Sequence, residues 1–173
     1  MMERGGVVRA RPEEPQDAPA VRRVHMAAFP SPAEADLVDT LRKDPVWLPG
    51  LSWVAVDHRG LVIGHALLTR LAVGGDDALA LAPVAVAPEW QRRGIGTLVA
   101  RAALAAADAA GERLVVVLGD PRYYHRFGFT PASACGVSGP HDVPDAFFQA
   151  LPLAAYDGTP RGNALYPPPF DEV

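Results

Sequence analysis

Two glycines and two arginines are grouped in residues 91–96, where a helix is predicted to begin. Gly94 and Gly96 fall near the first helical turn, where each glycine costs about 1 kcal/mol relative to alanine. Arg92 and Arg93 place positive charge beside the positive end of the helix dipole, where an acidic residue would be favourable. Free backbone N–H groups and two guanidinium groups at this position would instead bind an anion. The spacing therefore predicts a phosphate-binding site.

The spacing of this segment differs from that of two other phosphate-binding motifs. A dinucleotide fingerprint has the pattern G-x-G-x-x-G, with its first glycine in the turn directly after a strand. Here the third glycine is replaced by Val99, and the predicted strand ends well before Gly94. A P-loop requires a Gly-Lys-Ser/Thr ending, which the segment lacks. A glycine-containing loop before an ordinary helix remains open, because a lone G-x-G is a common pattern.

A strand before the segment and a helix after it must position these groups. Residues 79–86 form an apolar run that predicts a strand, and Pro88 ends it. The alanine-rich residues 96–110 predict a helix that ends at Gly111. Residues 113–118 are apolar throughout, as in a strand covered on both faces. Because a helix connects the two strands, we expect them to be parallel.

The other segments predict a mixed α/β domain of 173 residues. Before the parallel pair we expect a strand at residues 7–11, a helix capped by Asp17 and a second helix capped by Ser31. A turn at residues 49–50 and an antiparallel hairpin of residues 51–56 and 61–71 should follow. After the pair, Asp120 and Pro121 predict a short helix that ends at Gly128. Residues 134–137 and 147–153 are predicted to form a last hairpin, followed by a proline-rich tail extended along the surface.

Composition excludes several classes of protein. The net charge of −4 argues against nucleic acid or an anionic membrane as a partner, so any anion site must be local. A single cysteine, Cys135, cannot form an internal disulfide and is typical of a reducing compartment. The first residues, MMERGGVVRARPEEP, contain no apolar core of signal-peptide length, so we expect a cytoplasmic protein. The histidines and Cys135 show no metal-ligand spacing, and we expect no metal.

The full spacing Val86-x-Pro88-x-x-Gln91-x-x-Gly94-x-Gly96 resembles the acetyl-CoA signature of the GNAT acetyltransferase superfamily. A second segment, YHRFGF at residues 124–129, resembles the family's Tyr-x-x-x-Gly-Phe motif. The segments AFPSPAEADLVDTLR, LAPVAV, VVVLGDPRYYHRFGF and YPPPF resemble a bacterial branch of predicted N-acetyltransferases. The resemblance implies a GNAT fold: a mixed, mostly antiparallel central sheet with a splayed parallel pair and helices on both faces. It covers nearly the whole chain as one domain, residues 1–173, with residues 137–173 as its C-terminal segment. The resemblance is weakest after Thr130.

The resemblance also implies a set of functional residues. In the family, the loop amides hold the coenzyme A pyrophosphate, and the preceding strand pairs with the pantetheine arm. The matching positions, together with two aromatic residues of the second motif, are Val84, Ala85, Val86, Gln91, Arg92, Arg93, Gly94, Ile95, Gly96, Thr97, Tyr124 and Phe127. Tyr124 is the candidate acid. A phenol with a pKa of about 10 can protonate a thiolate whose conjugate thiol has a pKa of about 8.5, and this transfer is only slightly uphill. Pro83, which lacks an N–H, is expected to help separate the two parallel strands.

The general base and the acceptor amine stay open. Glu34, His65, His141 with Asp142, or a water path are the alternatives for the base, since the strand at residues 79–86 carries no carboxylate. Trp47, Trp53 and Trp90 either line an acceptor pocket or pack in the core. Cys135 could form an acyl-enzyme only with an activating neighbour, and direct transfer without a covalent intermediate is the preferred prediction.

The sequence predicts direct transfer of an acetyl group from acetyl-CoA to a primary amine, carried by a small molecule or a peptide. The alternatives are an inactive sensor that binds acyl-CoA and an acyltransferase that uses a longer acyl donor. The protein is expected to act as a monomer or a homodimer.

Overall fold

The computed structural model describes residues 6–173, so the part of the signal-peptide prediction that rests on residues 1–5 lies outside the described residues. The helices and longer strands are, in chain order, β1 (Arg9–Pro12), α1 (Ala18–Ala28), α2 (Ala33–Arg42), β2 (Trp47–Val56), β3 (Val62–Val73), β4 (Asp76–Val86), α3 (Ile95–Ala109), β5 (Leu114–Leu118) and α4 (Pro121–Tyr124). The C-terminal part adds β6 (Thr130–Pro131), β7 (Val137–Ser138), β8 (Phe148–Pro152) and β9 (Gly162–Leu165). No helix among these residues is long and apolar enough to span a membrane.

The central sheet is mixed, as predicted, with the strand order β1-β2-β3-β4-β5-β8-β6. β1 to β4 are antiparallel neighbours. Short turns connect β2, β3 and β4 into a meander, whereas α1 and α2 lie between β1 and β2. β4 and β5 are parallel, since α3 carries the chain from one end of the sheet to the other. β8 and β6 then extend the sheet in antiparallel fashion. The mostly antiparallel sheet with one parallel pair confirms the predicted fold class.

The parallel strands pair over only two positions. Leu79 is opposite Val115 and Ala80 is opposite Val116, and the strands then separate. Beyond that point β4 stays paired with β3 alone, up to Val86 opposite Gly64. Two β4 residues, Ala82 and Pro83, occupy the space opposite a single residue of β3 and form a bulge there. Pro83 thus lies inside the separated part of β4, as expected of a residue that cannot donate to a strand ladder.

Helices cover both faces of the sheet. On one face, α1 and α2 bury Val21, Val38 and Leu41 against Val54 and Leu67 of the sheet. Fully burying one such side chain stabilises the fold by about 1.5–3 kcal/mol.

The other face is covered by α3. Its apolar residues recur every three to four positions and pack on β3, β4 and β5; they are Ile95, Val99, Ala103, Leu104 and Ala107. Gly111, with φ 81°, ends the helix, in agreement with the sequence. α3 therefore holds the loop before it at the open end of the β4–β5 pair.

One predicted turn and one predicted helix cap differ from the structure. Residues 49–50 lie within β2 rather than in a turn, next to an irregularity between Trp47 and Ser52. Asp17 precedes α1 but does not cap it; its carboxylate accepts hydrogen bonds from Arg11 and from the Glu14 amide instead. A charged guanidinium is a stronger partner for the carboxylate than a helix amide, which explains the different choice.

The predicted last hairpin is wrong in its pairing. β8 falls within residues 147–153, but it pairs with β5 and β6, because the free edge of β5 needs a partner. Residues 132–135 form a 3₁₀ turn that ends at Gly136, and β7 then pairs in parallel with β9. The tail also differs from the expected extended segment, since Pro168–Glu172 form a 3₁₀ helix and pack against α2.

Candidate active site

The loop before α3 has an unusual backbone. Arg92 and Gly94 both have positive φ angles, 63° and 77°. The side chain of Gln91 donates a hydrogen bond of 3.0 Å to the carbonyl of Val86 and so ties the loop to the end of β4. The amide groups of Ile95, Gly96 and Thr97 bond to no backbone carbonyl within the described residues. Several free donors therefore face outward at the positive end of the α3 dipole.

A small cavity of about 200 Å³, here called the loop cavity, lies over these amides. Of the residues predicted to bind coenzyme A, it is lined by Val86, Gln91, Arg92, Gly94, Ile95, Gly96 and Thr97. Arg126 adds a second guanidinium group, which lies 4.2 Å from the Tyr123 ring centroid and bonds Thr97 Oγ1 at 3.3 Å. Amides, two arginines and a helix dipole make the loop cavity suitable for a phosphate or diphosphate group.

Arg93 lies apart from the loop cavity. Its guanidinium stacks on the ring of Trp90 at 5.2 Å and lines a separate cavity of about 390 Å³ with Asp57 and Glu89. Trp90 lines both cavities. The two adjacent arginines therefore diverge, because the positive φ of Arg92 turns the chain between them.

Tyr123 and Tyr124 occupy different environments. The Tyr123 hydroxyl lies 3.4 Å from Thr97 Oγ1, over the loop cavity. The Tyr124 ring packs on Gly119, just beyond β5, where an added Cβ would lie 2.5 Å from Tyr124 Cε2. Burial, and to a lesser extent Tyr123, raises the pKa of Tyr124 to about 12. Tyr124 is therefore a protonated phenol at neutral pH, and its packing on Gly119 keeps it on the β5 side of the separated strands.

Phe127 is half-buried beside the two tyrosines. Its ring centroid lies 6.2 Å from that of Tyr124, and the Arg101 guanidinium stacks over it at 5.2 Å. It does not line the loop cavity. Its contacts fix the position of α4 against α3.

A second cavity, here called the wedge cavity, lies where β4 and β5 separate. Its volume is about 560 Å³, and Pro83 of β4 and Leu118 of β5 line it. Glu34 of α2 and the tail residues Tyr166 and Phe170 also line it. One Glu34 carboxylate oxygen, Oε2, is buried and has no hydrogen-bond partner within the described residues. The wedge cavity thus combines an apolar lining with an unsatisfied acid.

Three comparisons with known proteins agree with this geometry. The sequence profile described as "Acetyltransferase (GNAT) domain" matches residues 49–131. The uncharacterized N-acetyltransferase YjhQ of Escherichia coli K12 is 39% identical over 134 residues, which cover 75% of this chain and 74% of YjhQ. The chain belongs to the GNAT acetyltransferase family.

Two solved structures of GNAT acetyltransferases resemble the fold over nearly the whole chain. YhbS from Escherichia coli, in complex with CoA, has a TM-score of 0.89 at 31% identity and covers 99% of this chain and 96% of its own. A GNAT acetyltransferase from Brucella melitensis, in complex with acetyl-CoA, has a TM-score of 0.79 at 34% identity and covers 96% and 99%. The family and its fold, expected from the sequence, are confirmed, and the enzyme is an acyltransferase.

The alternatives for the general base of this acetyltransferase lie in three different environments. His65 is fully buried, with Nδ1 2.8 Å from His25 Nε2 and Nε2 2.8 Å from Ser52 Oγ. Burial lowers the pKa of His65 well below its ordinary value, with a smaller contribution from His25. His141 and Asp142 are exposed and line neither the loop cavity nor the wedge cavity. Among these residues, the wedge cavity contains only Glu34.

The sequence did not single out Tyr123 and Arg126 as part of the acetyltransferase site. They come from the segment after β5, and only the packing of α4 over the start of α3 brings them to the loop cavity. Trp47 stacks under the Arg42 guanidinium, and Trp53 bonds the Gly50 carbonyl, so neither lines these cavities. Across residues 6–173, His, Cys, Asp and Glu side chains form no group of three that could hold a metal.

Proposed function

We propose that the enzyme transfers the acetyl group of acetyl-CoA directly to a primary amine. The observation that carries this proposal is the continuity of two features: the unpaired edge of β4 leads directly into the free amides of the α3 start. A long ligand with a diphosphate at one end and an amide-containing arm at the other matches this arrangement. The CoA and acetyl-CoA complexes of the two similar structures support the same ligand here.

The diphosphate of coenzyme A would occupy the loop cavity. The amides of Ile95, Gly96 and Thr97 would donate to its oxygens, and Arg92 and Arg126 would compensate its charge. Gln91 and Gly94 shape the loop, one by its bond to Val86 and the other by its positive φ. Arg93, which lines the separate cavity, is not needed for this contact.

The pantetheine arm would lie along the separated part of β4. Val84, Ala85 and Val86 have their second ladder edge free there, because β5 no longer pairs with them. The amide groups of pantetheine would bond these backbone groups as an extra strand would. A backbone N–H of this edge would also donate to the thioester oxygen, where negative charge develops in the transition state.

Tyr124 would act on the departing sulfur. With a pKa of about 12, Tyr124 is a weaker acid than the sequence implies. The thiol of CoA has a pKa of about 8.5, so full proton transfer from Tyr124 to the thiolate is uphill by about 5 kcal/mol. We expect Tyr124 to donate a hydrogen bond to the sulfur as the C–S bond breaks. Its proton passes to the thiolate while the second proton of the nitrogen passes to Tyr124, so the phenol is restored and no free phenolate forms.

The atoms balance in a direct transfer. An ammonium group loses one proton, and the resulting amine nitrogen attacks the thioester carbon. The C–S bond then breaks, the nitrogen loses a second proton, and the thiolate gains one. The products are an amide, free CoA and one proton released to solvent. Cys135 contacts the Tyr156 side chain in the C-terminal part of the chain, and it has no role in this path.

A thiol-release assay tests the proposal. The full chain is incubated with acetyl-CoA and a panel of primary amines, and free CoA is measured against a control without amine. CoA binding is measured in parallel by calorimetry. Binding together with amine-dependent release supports the acetyltransferase, whereas binding without release from acetyl-, propionyl- or longer acyl-CoA would indicate a sensor.

The remaining expectations from the sequence are proposals of the same kind. We propose that residues 1–173 form one domain, because β8 of the C-terminal segment completes the same sheet as the meander. A cytoplasmic location is supported by the single free Cys135. The enzyme is proposed to act as a monomer or homodimer on a small-molecule or peptide amine.

A further inference from the structure

The wedge cavity has the position that an acceptor site requires. It opens between β4 and β5 where the strands have parted, with Pro83 on one side and Leu118 on the other. If pantetheine follows β4 toward this opening, as proposed above, its thioester would arrive at the same place. The inference below therefore rests on the proposed acetyltransferase function and identifies the class of its acceptor.

Most of the cavity lining is apolar. Leu37, Leu118, Tyr166 and Phe170 all line it, and the Tyr166 and Phe170 rings pack edge to face at 5.1 Å. Leu118 remains 49% exposed, although it ends a strand whose other residues are buried. An apolar ligand body that covers Leu118 would be stabilised by the apolar surface that both remove from water. The lining therefore favours an aliphatic or aromatic body over a sugar or a strongly polar chain.

The charges in the cavity all have one sign. Glu34 and Asp171 line it, and no lysine, arginine or histidine does so among the described residues. Asp171 is exposed, whereas Oε2 of Glu34 is buried without a hydrogen-bond partner. An unsatisfied buried carboxylate oxygen is costly, and a cationic donor would satisfy it. The neighbouring acids of α2 are already engaged, since Asp36 and Asp39 both pair with Arg22.

We propose that Glu34 receives the ammonium group of the acceptor and takes the proton that activates it. The acceptor is a primary amine on an apolar aliphatic or arylalkyl body, whose body packs on Leu118, Tyr166 and Phe170. In the first step one N–H bond of the ammonium breaks and its proton passes to Glu34. The free nitrogen lone pair then attacks the thioester carbon, and Glu34 returns its proton to solvent.

Binding of the acceptor is tested separately from turnover. Calorimetry with the CoA-bound full chain compares 2-phenylethylamine, hexylamine, spermidine, glucosamine and 2-phenylethanol. We expect the two apolar amines to bind about tenfold or more tightly than glucosamine and the alcohol, which lack either the apolar body or the cation. Equal binding of 2-phenylethylamine and 2-phenylethanol, or preference for spermidine or glucosamine, would overturn the inference.

Three variants assign the effect to the cavity. Glu34→Gln should weaken 2-phenylethylamine binding about tenfold and lower kcat/KM for the amine about 100-fold or more, while the affinity for CoA is unchanged. Asp36→Asn, on the same helix but outside the wedge cavity, is the matched control and should leave both quantities unchanged. Leu118→Lys changes a side chain that is half exposed, so we expect the fold to be kept, and it should weaken amine binding by charge repulsion.

The outcomes separate this inference from the proposed function. Amine binding that depends on Glu34 without any thiol release would contradict the acetyltransferase proposal and the proton transfer to Glu34, while it would support the wedge cavity as a site for apolar amines. Thiol release that Glu34→Gln leaves unchanged would contradict the role of Glu34 alone.

Discussion

The hydroxyl of Tyr123 lies 3.4 Å from Oγ1 of Thr97, so the segment after β5 contacts the first turn of α3 directly. The same hydroxyl would lie only 3.1 Å from a Cβ placed on Gly96. This contact crosses the open end of the parallel pair and places Tyr123 over the loop cavity, while Tyr124 turns toward Gly119. Adjacent tyrosines thus lie in different places, Tyr123 over the loop cavity and Tyr124 against Gly119 at the end of β5.

Replacement of the two tyrosines should therefore separate binding from turnover. Tyr124→Phe removes the proposed donor to the sulfur and should lower kcat about 100-fold, with little change in CoA affinity. Tyr123→Phe removes the contact with Thr97 and should raise KM for acetyl-CoA severalfold at unchanged kcat. Steady-state kinetics and CoA calorimetry on both variants make the comparison. Unchanged kcat in Tyr124→Phe would exclude it as the group that assists the thiolate.

Gly119→Ala should act on turnover through Tyr124. The new Cβ would meet Tyr124 Cε2 at 2.5 Å, so the ring must move away from its present position. We expect kcat to fall, and the free energy of unfolding to fall by about 1–3 kcal/mol because of the forced repacking. The double variant Gly119→Ala/Tyr124→Phe is the test of mechanism. If Gly119 acts through the hydroxyl, kcat of the double variant equals that of Tyr124→Phe, whereas additive losses would contradict this explanation.

The sequence predicted those features that follow from local chain chemistry. The strand–loop–helix from β4 to α3 could be read because glycine spacing and Pro88 restrict the backbone directly. The parallel pairing of β4 and β5 followed from the helix between them. Even the separation of the strands was indicated by Pro83, a residue without an N–H.

Features that depend on packing between distant segments were not predictable in this way. Arg126 reaches the loop cavity only because α4 lies over the start of α3, and neither segment encodes that contact alone. The wedge cavity joins Glu34 of α2 to Tyr166 and Phe170 across more than a hundred positions of sequence. The predicted pairing of residues 134–137 with 147–153 failed because β5 offered the second segment a longer partner.

Arg126→Gln should weaken CoA binding in a salt-dependent manner. Its guanidinium lines the loop cavity, so its removal takes one of two positive charges from the proposed diphosphate site. We expect CoA affinity to fall about tenfold at low salt and the loss to shrink as ionic strength rises, because salt screens exposed charges. Arg122→Gln is the matched control, since Arg122 is 90% exposed and pairs with Asp120 instead. Equal effects of the two substitutions would show that Arg126 acts only through the overall charge.

The buried histidine pair should make folding sensitive to mild acid. His25 is fully buried, and burial, with a smaller contribution from Arg42, lowers its pKa from 6.5 to about 4. The unfolded chain therefore binds a proton below about pH 6.5 that the folded chain does not bind until about pH 4. The resulting stability is fully present above pH 6.5 and is lost as the pH falls toward 4.

The size of this loss follows from the pKa difference. For His25 alone it is about 3 kcal/mol between pH 7 and pH 4, and the lowered pKa of His65 adds to it in the same direction. Urea unfolding at a series of pH values measures the free energy of unfolding. His141→Gln, at an exposed histidine, should leave the pH dependence unchanged. A free energy of unfolding that stays constant from pH 7 to pH 4 would contradict a neutral buried pair, because burial of the two uncharged histidines is what makes the folded state resist protonation.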